Sequence, residues 1–196
     1  MISLIIPTLD DEIRLVPTLS ALVPGAADGL IVEAIIADGG SKDDTEKVAD
    51  VAGCRLMVSD RPEGERLAAA VATAKSNWLL IMAPGVTLSE GWINEVRRFI
   101  AVTTRQEALD RRAAIFSYRR EDHGASARAD EWLALLAFQL GFGPRPSQGL
   151  LIPAKFYRAI GGGPSDRRTQ RDLAKAVGRS RITVLSAAAI SIEELP

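Results

Sequence analysis

The chain is short of the residues that build disulfide frameworks and metal clusters: it has one cysteine, Cys54, and one histidine, His123, in 196 residues. A lone cysteine excludes a disulfide framework, and Cys54 lies in the apolar, strand-like run Gly53 to Val58, where it reads as a small core residue. His123 sits in the polar stretch Arg119 to Gly124 with no second histidine or cysteine beside it, so it reads as part of an exposed turn rather than as a metal ligand. Charge of one sign is lacking too. Lys and Arg number 24 against 25 Asp and Glu, a net charge of −1, which leaves neither a basic footprint for nucleic acid nor a cationic face for an anionic membrane. No apolar run approaches the roughly 18 residues of a membrane span. Met1 to Pro7 is apolar without a basic lead-in and reads as a strand, not a signal peptide. A cytoplasmic protein with a small-molecule partner is expected. The glycine pattern that dinucleotide-dependent oxidoreductases carry after their first strand is also missing.

What is present is enough for a core: 47% of the residues are hydrophobic and 25% charged. Four apolar runs, Ile2 to Ile6, Val32 to Ala37, Arg55 to Val58 and Trp78 to Met82, alternate with helical stretches in the rhythm of a mostly parallel sheet. The helices are expected over Asp10 to Leu22, stopped by Pro24-Gly25, over Lys42 to Ala52 after Ser41, over Glu65 to Lys75, and over Gly91 to Val102. Beyond residue 112 the rhythm changes. Ala113 to Tyr118, Gly149 to Ile152 and Ile182 to Leu185 read as strands, with helices over Ala129 to Leu140, Pro153 to Ile160 and Arg168 to Val177, and a loop over Gly141 to Ser147. One domain is expected, with residues 1–112 forming one half and 113–196 the other.

Ligands of an open parallel sheet lie beyond the carboxyl ends of its strands, where loops splay and helix amino ends point N–H groups at the crevice. One such end is Pro7-Thr8-Leu9-Asp10; another is Asp38-Gly39-Gly40-Ser41. Asp38 is suited to accept hydrogen bonds from a base or ribose, and the paired glycines allow close approach. The same residues would equally serve to turn the chain and cap the next helix.

Ser3-Leu4-Ile5-Ile6-Pro7-Thr8-Leu9, Ile36-Ala37-Asp38-Gly39-Gly40-Ser41 with Thr45, and Trp78-Leu79-Leu80 together resemble the opening half of family 2 glycosyltransferases of the GT-A fold, small bacterial members above all. Ser147-Gln148-Gly149-Leu150-Leu151-Ile152, Ala159-Ile160-Gly161-Gly162 and Gly178-Arg179-Ser180-Arg181-Ile182 extend the resemblance. It implies an α/β GT-A fold, a mostly parallel open sheet with helices on both faces. It also implies a nucleotide or nucleotide-diphosphate sugar bound by Pro7, Thr8, Asp10, Asp38 and Gly39, with Gly64 and Arg66 in a segment that closes over it.

The acids that the resemblance calls for are missing from their positions. A divalent cation is held in that family by a carboxylate after the fourth strand, against the diphosphate, and Gly85 stands there. A general base is carried by a Glu-Asp pair opening a late helix, and Thr169 and Gln170 stand there, with Asp172 two residues on as the substitute. A Gly-Asp-Gln turn is reduced to Pro146-Ser147-Gln148. Gly85, Ser147, Gln148, Thr169 and Gln170 are therefore expected to face the cleft as degenerate positions, with no metal and no cofactor. The expected function is nucleotide or nucleotide-sugar binding with weak or no transfer, a pseudoenzyme.

Two other functions compete. In an active, metal-independent transferase, Arg167, Arg168 and Arg171 would grip the diphosphate and Asp172 or Glu121 would act as base. Alternatively the old cleft serves a protein partner. Arg111-Arg112 reads as solvated surface. The apolar face Trp132, Leu135, Leu136 and Phe138 belongs either to the core or to a homodimer surface. The chain ends at Pro196 soon after the last strand, which sets the expectation of an acceptor that is not membrane-bound.

Overall fold

The computed structural model describes residues 1–120, 145–162 and 168–192. Their strands join one eight-stranded sheet. The first half contributes β1 (Ile2–Thr8), β2 (Ile31–Asp38), β3 (Arg55–Val58), β4 (Trp78–Ile81) and β5 (Val86–Leu88), and the second β6 (Ala113–Arg120), β7 (Leu150–Pro153) and β8 (Ile182–Ser191). The order across the sheet is β3-β2-β1-β4-β7-β6-β8-β5. β1 runs parallel to β2 and β4, β2 to β3 and β6 to β8, while β7 is antiparallel to β4 and β6, and β5 to β8. The sheet is thus mixed and mostly parallel, as the sequence implied.

Helices cover both faces. α1 (Glu12–Ala27), α2 (Thr45–Val51) and α4 (Trp92–Arg105) send Leu15, Leu22, Ala49, Trp92 and Val96 into one core cluster with Ile2, Leu4 and Ile6. α3 (Glu63–Thr73), α5 (Ala154–Ala159) and α6 (Gln170–Val177) send Leu67, Ala70, Phe156, Tyr157, Leu173 and Val177 into another with Ile5 and Ile35. Alternate residues of one strand feed opposite clusters, so β1 is buried along its whole length. No described helix is long and apolar enough to cross a membrane.

Several boundaries differ from the sequence reading. α1 runs through Pro24-Gly25 to Ala27. Packing holds that last turn: Gly25 is buried where a β-carbon would stand 2.4 Å from the Trp92 ring, and Leu30 donates its N–H to the Gly25 carbonyl. β1 continues through Pro7 to Thr8, because its ladder with β4 ends at Ile5 and Pro7 has a strand neighbour only in β2. α2 starts at Thr45 rather than Lys42: Asp38 and Asp10 bind the Ser41 and Lys42 N–H groups and Asp43 turns onto Thr45 N, which holds residues 41–44 in turns of their own. The three-residue β5 was not expected, and β8 is longer than the predicted Ile182 to Leu185. The predicted helix Ala129 to Leu140, with Trp132, Leu135, Leu136 and Phe138, lies outside the described residues, as do His123 and Glu121.

At the opposite end of the sheet from the cleft described below, Glu33 ties three elements together. It accepts from Ser3 Oγ at 2.6 Å and from the Lys75 N–H at 2.5 Å, and pairs with Arg55 at 3.5 Å. Burial pushes its pKa up, but these hydrogen bonds and the Arg55 and Lys75 charges outweigh burial and hold it below the ordinary value. A carboxylate with a lowered folded pKa stabilises the fold above its unfolded pKa and loses that contribution as pH falls through the folded one. Glu33→Gln is expected to cost about 1 kcal/mol at pH 7. In urea titrations the wild-type margin should be complete above the ordinary glutamate pKa and be lost as pH falls through the lower folded value.

Candidate functional site

The strand order reverses direction at β1: β2 lies on one side of it and β4 on the other. At such a switch point the loops leaving the two neighbouring strands part and open a crevice. A cleft of about 560 Å³ lies there, lined by Pro7, Thr8 and Leu9 from the end of β1 and by Ala83 and Pro84 from the end of β4. Asp11 and Arg14 from the start of α1, Glu63 and Arg66 from α3, and Thr169 before α6 complete its wall.

Carboxylates from the ends of β1 and β2 hold the loop after β2 against the end of β1. Asp38 is 4% exposed and accepts from Thr8 Oγ1, Gly40 N and Ser41 N, each at 2.8 Å, and from Ser41 Oγ. Burial raises its pKa; the bonds from Ser41, Thr8 and Gly40 outweigh that and keep it below the ordinary carboxylate value. Asp38 thus locks the end of β1 to the end of β2 and turns the chain, and α2 begins only at Thr45. Asp10, at a φ of 53°, accepts from Lys42 N at 2.7 Å and donates its own N–H to Ser41 Oγ. Asp43 accepts from Thr45 and from Glu12 N, so the loop supplies an acceptor that the first turn of α1 needs.

Two glycines seat two guanidiniums. A β-carbon on Gly39 would stand 2.8 Å from Arg66 Nη1, and the Arg66 fork fills that space, donating to the carbonyls of Ala37, Arg61 and Thr8. A β-carbon on Gly85 would stand 3.0 Å from Arg14 Nε. Gly85 has a φ of 80°, and its N–H donates to the Arg14 carbonyl and to Thr18 Oγ1, while Thr18 Oγ1 also accepts from Val86 and donates to the Arg14 carbonyl. The turn between β4 and β5 is therefore clamped to α1. Arg14 reaches back over it, donating to the Pro84 carbonyl at 3.1 Å and to Asp11 Oδ1 at 3.3 Å.

The remaining sequence candidates are placed as follows. Gly64 is buried in the first turn of α3, between the cleft-lining Glu63 and Arg66. Thr169 lies on the cleft and caps α6 through a reciprocal box with Asp172, whose carboxylate accepts from Thr169 Oγ1 at 2.8 Å. Gln170 is the first residue of α6. Gln148 is buried, accepts from Arg145 N and donates to the Phe116 carbonyl; Ser147 precedes it in a short 3-10 turn. Neither Ser147 nor Gln148 lines the cleft. Arg168 donates to the Ile160 carbonyl, Arg112 lines a separate groove against α4 and β8, and Arg167 and the Arg171 side chain lie outside the described residues. Sequence reasoning missed Asp11, Arg14, Glu63, Ala83 and Pro84. Arg14 is one helical turn from Asp11, a spacing that places both on one face of α1, and that was the available signal.

A family model described as "Glycosyl transferase family 2" matches residues 3–157. No curated protein matches the chain. Among solved structures, glucosyl-3-phosphoglycerate synthase from Mycobacterium tuberculosis, crystallised with Mn2+, UDP and glucosyl-3-phosphoglycerate, is similar at 20% identity and a TM-score of 0.64, covering 100% of this chain and 73% of that one. The same synthase with Mn2+ and UDP-glucose gives a TM-score of 0.65 at 18% identity, with 100% and 72% covered. S. aureus TarS gives 0.66 at 13% identity, covering 96% of this chain and 36% of its own. At these identities the likeness shows the fold. The expectation of no cofactor is corrected here: neighbours of this fold are crystallised with Mn2+ beside UDP, so a divalent cation is the cofactor to expect in this family. The physical reason is that a diphosphate leaving group concentrates negative charge, and Gly85 alone does not decide how that charge is met.

Proposed function

Because the chain belongs to glycosyl transferase family 2, we propose that the cleft at the switch point binds a nucleoside-diphosphate sugar. The observation that carries this reading is the convergence of the β1 and β4 ends with two seated guanidiniums, Arg14 and Arg66, in one crevice. Pro7, Thr8 and the loop held by Asp10, Asp38 and Gly39 form the nucleoside end. Arg66, beside Gly64, fixes the segment that flanks it.

A divalent cation in a nucleotide site takes one or two protein carboxylates and completes its shell with phosphate oxygens and water. Asp11 fits that share. Its two oxygens accept from Leu9 N and from Arg14, and lone pairs remain on both. No group of three His, Cys, Asp or Glu converges among the described residues, so the diphosphate itself would supply the other oxygens. When bound, the ion neutralises charge on the leaving diphosphate.

Transfer is proposed to be slow. The described residue that the late helix brings to the cleft is Thr169, and the Asp172 carboxylate is turned back onto it. Lack of a positioned base costs roughly 10²- to 10⁴-fold in rate. Calorimetric titration with UDP, GDP and UDP-glucose in the presence of Mn2+ tests the binding. Dissociation constants of roughly 1–100 µM are expected for at least one of them, with little release of UDP from UDP-glucose over hours. Absence of binding to all three would sink the reading.

A further inference from the structure

Resting on the reading of this cleft as a nucleoside-diphosphate site, we infer that Arg14, seated over Gly85, is the residue that distinguishes a diphosphate from a bare nucleoside. Its side chain is about half exposed, at 47%, and is anchored at two points, Asp11 Oδ1 and the Pro84 carbonyl. A guanidinium carries five N–H donors in a rigid fork. Two are engaged in this way and Nε lies against Gly85, which leaves one N–H on each terminal nitrogen of a side chain that lines the cleft.

Three local features hold the fork in place. Gly85 has no side chain, so the guanidinium lies against the turn instead of being pushed out from it. Thr18 ties that turn to the backbone of Arg14 itself, so the residue carrying the cation and the floor beneath it move together. Asp11, one turn earlier in the chain, aligns the fork and offsets only part of its charge. An arginine pre-ordered like this loses little freedom when an anion arrives, and a planar fork matches two oxygens of a phosphate. Arg66 differs: its three bonds to carbonyls of Ala37, Arg61 and Thr8 make it a brace between the β1 and β2 ends. Arg14 makes two bonds, one of them to the single carbonyl of Pro84, and stays about half exposed on the cleft wall.

The test compares UDP with uridine by calorimetry on wild type, Arg14→Gln and Arg14→Lys, with Mn2+ at one fixed concentration throughout. Arg14→Gln should lower UDP affinity roughly tenfold or more while uridine affinity stays unchanged, and Arg14→Lys, which keeps the charge but not the fork, should recover only part. Unchanged uridine binding also certifies that the variant is folded. If UDP affinity is unaffected in Arg14→Gln, or if UDP and uridine weaken by the same factor, the assignment of Arg14 is overturned while the proposed function stands. If wild type binds neither ligand, the proposed function itself is overturned, a result distinct from both.

Discussion

Asp38→Ala is expected to destabilise the protein by about 3 kcal/mol, seen as a lower urea midpoint with an unchanged slope. The carboxylate accepts four hydrogen bonds and is 4% exposed. Hydrogen bonds to a charged acceptor are each worth about 1.5–3 kcal/mol, and removing the acceptor strands the donors. Thr8 suffers most, because the residue is 1% exposed and its hydroxyl donates to Asp38. Gly40 and Ser41 are closer to the surface and water replaces part of their loss, which is why the sum of four bonds overstates the cost. Asp38→Asn should cost about half as much, since an amide keeps one acceptor but turns a donor toward N–H groups. A loss below about 0.5 kcal/mol for Asp38→Ala would mean that the loop after β2 is held by Asp10 and Asp43 instead.

Trp92→Ala should cost about 4 kcal/mol, the range for emptying a large aromatic site. Trp92 is 3% exposed and lies against Gly25 on α1, with Ile31 nearby in the same core cluster. The stronger test is the pairing. A β-carbon on Gly25 would stand 2.4 Å from one carbon of the indole and 2.7 Å from another, so Gly25→Ala should itself cost about 2 kcal/mol by overpacking. In a Trp92→Ala background the same methyl enters the vacated space and should cost almost nothing. The double-mutant cycle then shows a coupling of about 2 kcal/mol. Additive costs would mean that the helix, not the ring, rejects the side chain at 25.

The strands of the first half were legible as short apolar runs between turn signals: β4, buried throughout, and β2 were expected within one residue at each end, and the edge strand β3 over its observed residues. What failed was local punctuation overruled by distant contacts. Pro24-Gly25 reads as a helix stop, yet the Trp92 ring that keeps the turn in place arrives from 67 positions later (92 − 25). β5 is three residues long, too short a branched run to stand out, and β8 passes through Ser186 and three alanines after Leu185, so that stretch lacks the branched side chains that signal a strand. In the cleft, Pro7, Thr8, Arg66 and Thr169 were named from strand ends and family resemblance. Arg14 was not, because no local pattern says that an arginine early in α1 will lie over a glycine in the turn after β4. The metal expectation went astray by treating one position, Gly85, as the whole of a coordination shell that the ligand itself helps to complete.

The seating of Arg14 on Gly85 also orders the mutational routes open to this chain. A first carbon at position 85 already meets Arg14 Nε at 3.0 Å, and the φ of 80° strains every residue but glycine, least for asparagine and aspartate. A carboxylate introduced at 85 while Arg14 remains would meet a guanidinium in the space it needs and spend its charge there. Shortening Arg14 first leaves that space vacant and the turn still clamped by Thr18. The two substitutions are therefore expected to show sign epistasis: the same change at 85 is harmful or tolerated according to which comes first.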